Sequence, residues 1–310
     1  MMHIFVNASY DFVGKRKWFY AASGGLMLLS IIWILLVGGL NYGIDFTGGA
    51  LVQVRYDKPA SVDLVRRGLD EIKLGTAIIQ QFGDPQEYLI RLPHVAEKPD
   101  DLAKQVQAAL AKAAGGSVEI RRLEFVGPQV GRDLQLQALY AVLAGMAGIL
   151  IYVAFRFHFR DGVISVVAIA HDVIVTLGAL SITQREMSLP VLAALLTIVG
   201  YSINDTIVVF DRIRETRAKG LRKGQTIADL VNSAMNQTLS RTLLTSFTTF
   251  ISAVVLLIFG GEVLRDFAFA LVIGVVTGTY SSIAAASLVM DWETWSRVRT
   301  KTAGKVPAKA

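Results

Sequence analysis

The chain contains no cysteine. That absence excludes a disulfide framework, a thiolate-ligated metal site and thiol catalysis, and leaves the redox compartment unreadable. Histidine is nearly as scarce, with four residues scattered at no metal-ligand spacing, so no metal site and no bound cofactor is expected. Charge is also thin: 18% of residues are charged against 53% hydrophobic, with a mean hydropathy of +0.49, far from the balance of an ordinary soluble domain. This is the composition of a membrane protein. The net charge of +6 does not point to nucleic acid, because the basic residues cluster beside apolar runs rather than along an aromatic-laced face. No cleavable leader is expected either. Lys15, Arg16 and Lys17 precede an apolar stretch as they would in a signal peptide, but Trp18–Leu40 is long enough to span and has no short core with a clear cleavage site, so it reads as a retained span.

What is present is a set of six runs at or above the crossing length of about 20 residues. They are Trp18–Leu40, Asp133–Phe155, Gly162–Thr183, Leu189–Phe210, Ser240–Phe259 and Phe267–Met290. Lys15 to Lys17 precede the first, Arg156 and Arg160 separate the second and third, RIRETRAKGLRKG follows the fourth, and Arg297, Arg299 and Lys301 follow the sixth. The opposite loops, QREMS and GGEVLRD, are nearly charge-balanced. By the positive-inside rule both termini face the cytoplasm. The expected organisation is residues 1–17 as a cytoplasmic N-terminus, 18–40 as the first transmembrane helix, 41–131 as an external domain, 132–290 as helices two to six, and 291–310 as a cytoplasmic tail.

Residues 41–131 read as strand (ALVQVRY), helix (SVDLVRRGLDEI), strand (TAIIQQF), strand (EYLIRL), helix (PDDLAKQVQAALAKA) and strand (SVEIRRLEFV). Val62, Val65, Leu69 and Ile72 share one helix face; Leu102, Val106 and Leu110 share the other's. Gly83–Pro85 marks the turn between the middle strands. The order βαββαβ predicts a ferredoxin-like α+β domain with one modest core. Asp70, Glu71 and His94 lack spaced partners and read as solvated surface. Its joints, NYGIDFTGG and FVGPQVG, are glycine-rich, so Gly43, Gly48, Gly49, Gly127 and Gly131 are candidate hinge residues, with tight interfacial loops as the alternative.

The spans carry polar residues that apolar helices do not keep without use. In GYSINDTIVVFDRIRE, about a dozen large apolar residues at about −0.4 kcal/mol each outweigh the roughly +3 kcal/mol of Asp205, so the helix still inserts. Carboxylates inside a membrane usually face the bundle interior and mark ion or proton pathways. Asp205 with Asn204, and Asp172 in AHDVIVTLG, are therefore candidate relay groups, hydrogen-bonded packing being the alternative. His171 points about 100° from Asp172 on a helix, which favours a core or interface histidine over a shared relay. Arg241 reads alone as an interfacial anchor. With Thr245, Thr248 and Ser252 it recurs at helical spacing, a face suited to a hydrated passage into the bundle. Ala141, Gly145 and Gly148, and Gly274 with Gly278, allow close helix approach.

In order, GIDFTGG, FVGPQVG, AHDVIVTLG, GYSINDTIVVFDRIRE and NQTLSRTLLTSFTTF resemble the SecF family of bacterial protein export, over about Trp18 to Met290. The resemblance implies a half-unit of the resistance-nodulation-division architecture with a periplasmic domain after the first helix. It implies pairing with SecD, association with the SecYEG channel and with YajC and YidC, contact with translocating preproteins and membrane lipids, and a place in the bacterial inner membrane. The implied function is non-enzymatic: protons are the coupling ion for preprotein translocation, with Asp205 and Arg241 at the family's proton-pathway positions and Asp172 a less decisive match. No SecD portion is present, so the path would be half a path. An aspartyl intramembrane protease fits poorly, because His-Asp and Ile-Asn-Asp are not its Gly-x-Gly-Asp setting. A proton-driven small-molecule exporter half-unit and a passive scaffold subunit remain as alternatives.

Overall fold

The computed structural model describes residues 9–93, 99–220 and 224–303, so His94 lies outside the described residues. In chain order the elements are α1 (Arg16–Val37), β1 (Asn41–Tyr42), α2 (Ile44–Thr47), β2 (Gly49–Tyr56), α3 (Val62–Glu71), β3 (Ile78–Gln81), β4 (Glu87–Leu92), α4 (Pro99–Ala114), β5 (Val118–Val126), α5 (Pro128–Arg156), α6 (Phe159–Ile182), β6 (Glu186–Met187), α7 (Leu189–Ala218), α8 (Ile227–Phe259) and α9 (Gly261–Ala303). They fall into two compact units: Met1–Leu40 with Val142–Arg185 and Pro190–Ala310, and Asn41–Ala141 with Glu186–Leu189.

The smaller unit has a sheet of order β3-β4-β2-β5 with every neighbour antiparallel, the order that two interleaved split βαβ units produce. Alternation along β2 puts Val52, Val54 and Tyr56 on the buried face, where they meet Val65 and Leu69 of α3 and Leu102, Val106 and Leu110 of α4. Ser61 caps α3 by accepting the Leu64 amide at 3.3 Å. Val62, expected on the buried face, is instead exposed in the first turn; Gly68 takes the space beside Leu110 and Ala113. Gly83, at φ +69°, turns the β3–β4 hairpin. A second, two-stranded sheet joins β1 to β6 in parallel, Asn41 beside Glu186 and Tyr42 beside Met187. Part of QREMS, expected as a plain loop, therefore belongs to this unit.

The larger unit is helical. Among the described residues six helices, counting Val263–Trp292 of α9, are long and apolar enough to cross a membrane, and the chain is an α-helical membrane protein. Their ends differ from the apolar runs. α7 continues to Ala218 on Arg212–Glu215 and Glu215–Lys219 pairs. α8 starts at Ile227 because Thr226 and Asp229 form a capping box, well before the run at Ser240. GGEVLRD is helix from Gly261 onward rather than loop.

Burial sorts the helices: 56%, 50% and 44% of the span windows of α6, α7 and α9 are buried, against 6% for α1 and α5, so the first three form the interior. Small residues permit close crossings. A Cβ at Gly178 would strike Ser30 of α1, and one at Gly274 would strike Ile198 of α7. Gly145 and Gly148 of α5 face open space, so their small-residue pattern meets no neighbour among the described residues. At one end Val13, Leu230 and Val289 share a core, Asn232 accepts the amides of Phe12 and Val13 at 2.9 and 3.2 Å, and Arg16 pairs with Asp291 at 3.0 Å. The segment before α1, the start of α8 and residues 289–291 of α9 thus meet at one end of the bundle.

Candidate functional site

Buried hydroxyls are spread along the helical unit, and among the described residues its buried carboxylates are Asp161, Asp172 and Asp205, of which the last two gather hydroxyls from neighbouring helices into one polar layer. Asp172 of α6 is fully buried. One of its oxygens accepts from Ser202 Oγ of α7 at 2.5 Å and from Ser281 Oγ of α9 at 2.8 Å; the other lies 2.9 Å from His171 Nδ1. One carboxylate therefore ties three helices. His171 was expected to point away, but its ring turns back along α6 onto its neighbour's carboxylate, with Nε2 buried and unpartnered among the described residues.

Asp205, also buried, stands less than one turn beyond Ser202 on α7. It accepts from Ser246 Oγ of α8 at 3.2 Å, and Thr279 Oγ1 of α9 stands 2.8 Å from that serine. Asp172, on α6, is thus linked directly to α7 and α9, and Asp205, on α7, to α8 and through Ser246 and Thr279 to α9. Gly278 makes this possible: an added Cβ there would come 3.2 Å from Ser202 Cβ, so α9 rides close enough for Ser281 to reach Asp172. Ser202, Ser246, Thr279 and Ser281 were not singled out in the sequence. The available signal was hydroxyls lying one helical turn from an in-span Asp or Gly.

The other expected site residues lie outside this layer. Asn204 is exposed, as is Arg241, whose guanidinium makes no hydrogen bond or ion pair with Asp205. Thr245 Oγ1 bonds back to the carbonyls of Arg241 and Thr242 at 3.1 and 2.9 Å, and Thr248 and Ser252 likewise serve their own helix. The polar stripe of α8 exists, but it is turned outward in this chain, and Ser246, one residue past Thr245, is the hydroxyl that reaches the interior.

The glycine joints are tightly packed within the smaller unit. Gly48 and Gly49 have φ of +72° and +126°, where side chains are strained. A Cβ on Gly48 would lie 2.8 Å from Pro128 Cα, one on Gly49 would strike the Leu92 carbonyl, and one on Gly131 would lie 2.9 Å from Phe46 O. Gly43 is closed in by Glu186, whereas Gly127 has open space around its Cβ direction. Asp45, between these glycines, accepts the backbone N–H of Leu189 at 2.8 Å and so caps the first turn of α7, where a carboxylate also suits the helix dipole. Arg91 of β4 pairs with Glu186 of β6.

A family model described as "Protein export membrane protein SecD/SecF, C-terminal" matches residues 105–295, and one described as "SecD/SecF GG Motif" matches 33–60, which contains Gly48-Gly49. "Protein translocase subunit SecF" of Calditerrivibrio nitroreducens is 47% identical over 283 residues, covering 91% of this chain and 93% of that protein. The chain belongs to the SecF family. SecF of Escherichia coli O157:H7 is 41% identical, with 90% of this chain and 86% of that protein covered. Among solved structures, SecDF from Thermus thermophilus, described as a translocon-associated membrane protein, superposes with a TM-score of 0.83 at 41% identity, covering 95% of this chain but 40% of that one. SecDF in a super-membrane-facing form superposes at a TM-score of 0.72 and 40% identity, with 98% and 41% covered. The chain thus spans about two-fifths of the SecDF chains and nearly all of the SecF relatives. In SecF terms, the GG pair is a close-packed turn.

Proposed function

We propose that this SecF-family chain is an accessory subunit of the protein translocase, non-enzymatic, that pairs with SecD and uses protons to promote preprotein movement across the bacterial inner membrane. On this reading the termini and the basic end of the bundle face the cytoplasm and the smaller unit is periplasmic. SecYEG, YajC and YidC are the expected partners around it. The observation that carries the reading is Asp205, a buried carboxylate in an apolar span with a single interhelical hydroxyl partner, Ser246. Purely structural use would favour more partners, as Asp172 has.

Asp205 takes a proton from the periplasmic side and releases it toward the cytoplasm. When ionised it only accepts from Ser246; when protonated it can donate, so the α7–α8 link changes partner roles with each proton. Arg241 on α8 supplies the cation that favours release if α8 moves toward the carboxylate. The membrane potential adds about 2.3 kcal/mol per charge per 100 mV, enough to bias a two-state motion. Asp205 lies on α7, and the first residue of that helix, Leu189, donates its amide to Asp45 of the GIDFTGG segment. Gly127 has open space where a side chain would go, whereas Gly43, Gly48, Gly49 and Gly131 are the close-packed positions of the joint.

The test is reconstitution of the chain with SecD and the channel in vesicles, followed by late-stage preprotein movement with and without an imposed proton gradient. Gradient-dependent stimulation that requires this chain supports the reading. Stimulation of equal size without a gradient leaves a scaffold role, and failure to co-purify with SecD removes the translocase assignment.

A further inference from the structure

The hydroxyls of α8 are not alike. Thr238, Thr245, Thr248, Thr249 and Ser252 each donate to a carbonyl of their own helix. Ser246 is buried and makes no such bond among the described residues; it lies 3.2 Å from an Asp205 oxygen and 2.8 Å from Thr279 Oγ1 of α9. Thr279 Oγ1 in turn stands 2.7 Å from the Val275 carbonyl, one turn back on α9. Each hydroxyl holds one hydrogen, so this line of groups has two complete arrangements. With Asp205 ionised, Ser246 donates to the carboxylate and Thr279 donates to Ser246, which leaves the Val275 carbonyl to its helix bond alone. With Asp205 protonated, the carboxyl donates to Ser246, Ser246 donates to Thr279, and Thr279 donates to the Val275 carbonyl. One proton at Asp205 redirects every hydroxyl in the line.

We propose that Thr279 is a positioning residue that carries the protonation state of Asp205 to α9. A threonine hydroxyl bonded back to the carbonyl four residues earlier bends a helix. Here that bond joins Thr279 to Val275, beside Gly274 and Gly278, where α9 runs close to Ile198 and Ser202 of α7. Making or releasing it therefore changes α9 at a close crossing, two residues before the Ser281 that holds Asp172. Tyr201 of α7 supplies a spare donor: its hydroxyl is buried without a partner among the described residues, with those of Ser246, Thr249 and Thr279 around it. It can donate to Thr279 in the ionised arrangement, when that hydroxyl accepts from no other group. The titratable and charged groups around the line are Tyr201 on α7, Arg241 on the outward side of α8 and the His171–Asp172 pair on α6; Tyr280 of α9 is turned to the Phe19 carbonyl of α1. The proposal rests on the reading that Asp205 titrates, and adds how the proton is felt beyond α7 and α8.

The experiment uses the full chain reconstituted with SecD in vesicles, with the channel added for preprotein movement. Infrared difference spectra between acidic and neutral buffer give the carbonyl stretch of protonated Asp205, recognised by its loss in Asp205→Asn. In Thr279→Val, which keeps the shape and deletes the hydroxyl, that band should remain but move to higher frequency, because Ser246 has lost the acceptor that strengthens its bond to the carboxyl. Gradient-dependent preprotein movement should fall about five-fold or more, the low end of coupling between linked sites, while gradient-independent movement persists. Thr279→Ser keeps the hydroxyl and should restore both readouts. Ser246→Ala cuts the line at its other link and should show the same loss of gradient-dependent movement; it carries the test if the valine variant does not assemble with SecD. A band at the parental frequency in Thr279→Val, gradient-dependent movement at the parental level, or a serine variant as defective as the valine one overturns the proposal. The absence of any band removable by Asp205→Asn would instead refute titration of Asp205 itself, and the proposal with it.

Discussion

Replacing Asp172 by alanine should show what the polar layer contributes to the fold. The substitution removes the acceptor for Ser202, Ser281 and His171, three hydrogen bonds of which the first two join α6 to α7 and α9. Interhelical hydrogen bonds in membranes average about 0.6 kcal/mol, because the helices find other partners when separated. Two of the three here cross between helices, and Ser281 has a fallback in the Gly278 carbonyl at 3.1 Å. That puts the bonds at roughly 1–1.5 kcal/mol. The buried His171 nitrogen left without a partner adds roughly 1–2 kcal/mol. The expected total is about 2–3.5 kcal/mol, a shift of more than ten-fold in the folding equilibrium. It is read by unfolding the purified chain in lipid–detergent mixtures at rising dodecyl sulfate, with helix content as the signal. Ser281→Ala alone should cost about 0.6 kcal/mol, and the double variant should cost less than the sum, since both changes delete the same bond. A cost below about 0.5 kcal/mol for Asp172→Ala, or strict additivity, would refute the role assigned to this carboxylate.

Gly49→Ala puts a side chain at φ +126° and against the Leu92 carbonyl, so it should destabilise the smaller unit by about 1–3 kcal/mol, whereas Gly127→Ala, with open space, should stay near parental stability; hydrogen exchange of the β2 amides distinguishes them. Burial raises the Tyr56 phenol above its ordinary range, and its hydroxyl has no partner among the described residues. Because the folded value lies above the unfolded one, its stabilising contribution is whole below about pH 10 and is lost as pH rises beyond. Tyr56→Phe should therefore hold or raise stability near neutrality and move alkaline unfolding to higher pH; an unchanged alkaline midpoint would count against it. For orientation, single cysteines at Gly83 and Ser117 should react with an impermeant thiol reagent from the periplasmic side and one at Lys219 should not, and labelling at Lys219 would reverse the assignment.

Much of the architecture was legible because its determinants are local. Six apolar runs announce six helices, and the alternation of ALVQVRY with the 3.6-residue pattern of DLAKQVQAAL announces a βαββαβ unit. Helix ends were misjudged where polar chemistry extends a helix beyond its apolar run. The capping box at Thr226 and Asp229 is a local signal visible in the sequence, and the Glu215 pairs that carry α7 to Ala218 are of the same kind. The candidate site was half legible. An in-span Asp states that something polar must meet it, so Asp172 and Asp205 stood out, but periodicity defines a face without saying which way it turns. Arg241, Thr245, Thr248 and Ser252 do share a face of α8, and that face is outward in this chain, while Ser246 supplies the partner of Asp205. Asp45 could not be read at all, because its partner amide lies 144 positions away and only the folded unit brings them together.

The central claim is that Asp205 changes protonation during the working cycle. Asp205→Asn keeps the size of the side chain and an oxygen to accept from Ser246, but it cannot titrate. The variant chain, assembled with SecD and the channel in vesicles, should insert and co-purify as the parent does. The decisive quantity is late-stage preprotein movement under an imposed proton gradient, read beside proton uptake by a trapped pH-sensitive dye. The account predicts that both the gradient-dependent part of the movement and the coupled proton uptake vanish in Asp205→Asn while gradient-independent movement persists; gradient-dependent movement at the parental level would make Asp205 a packing residue and contradict the account.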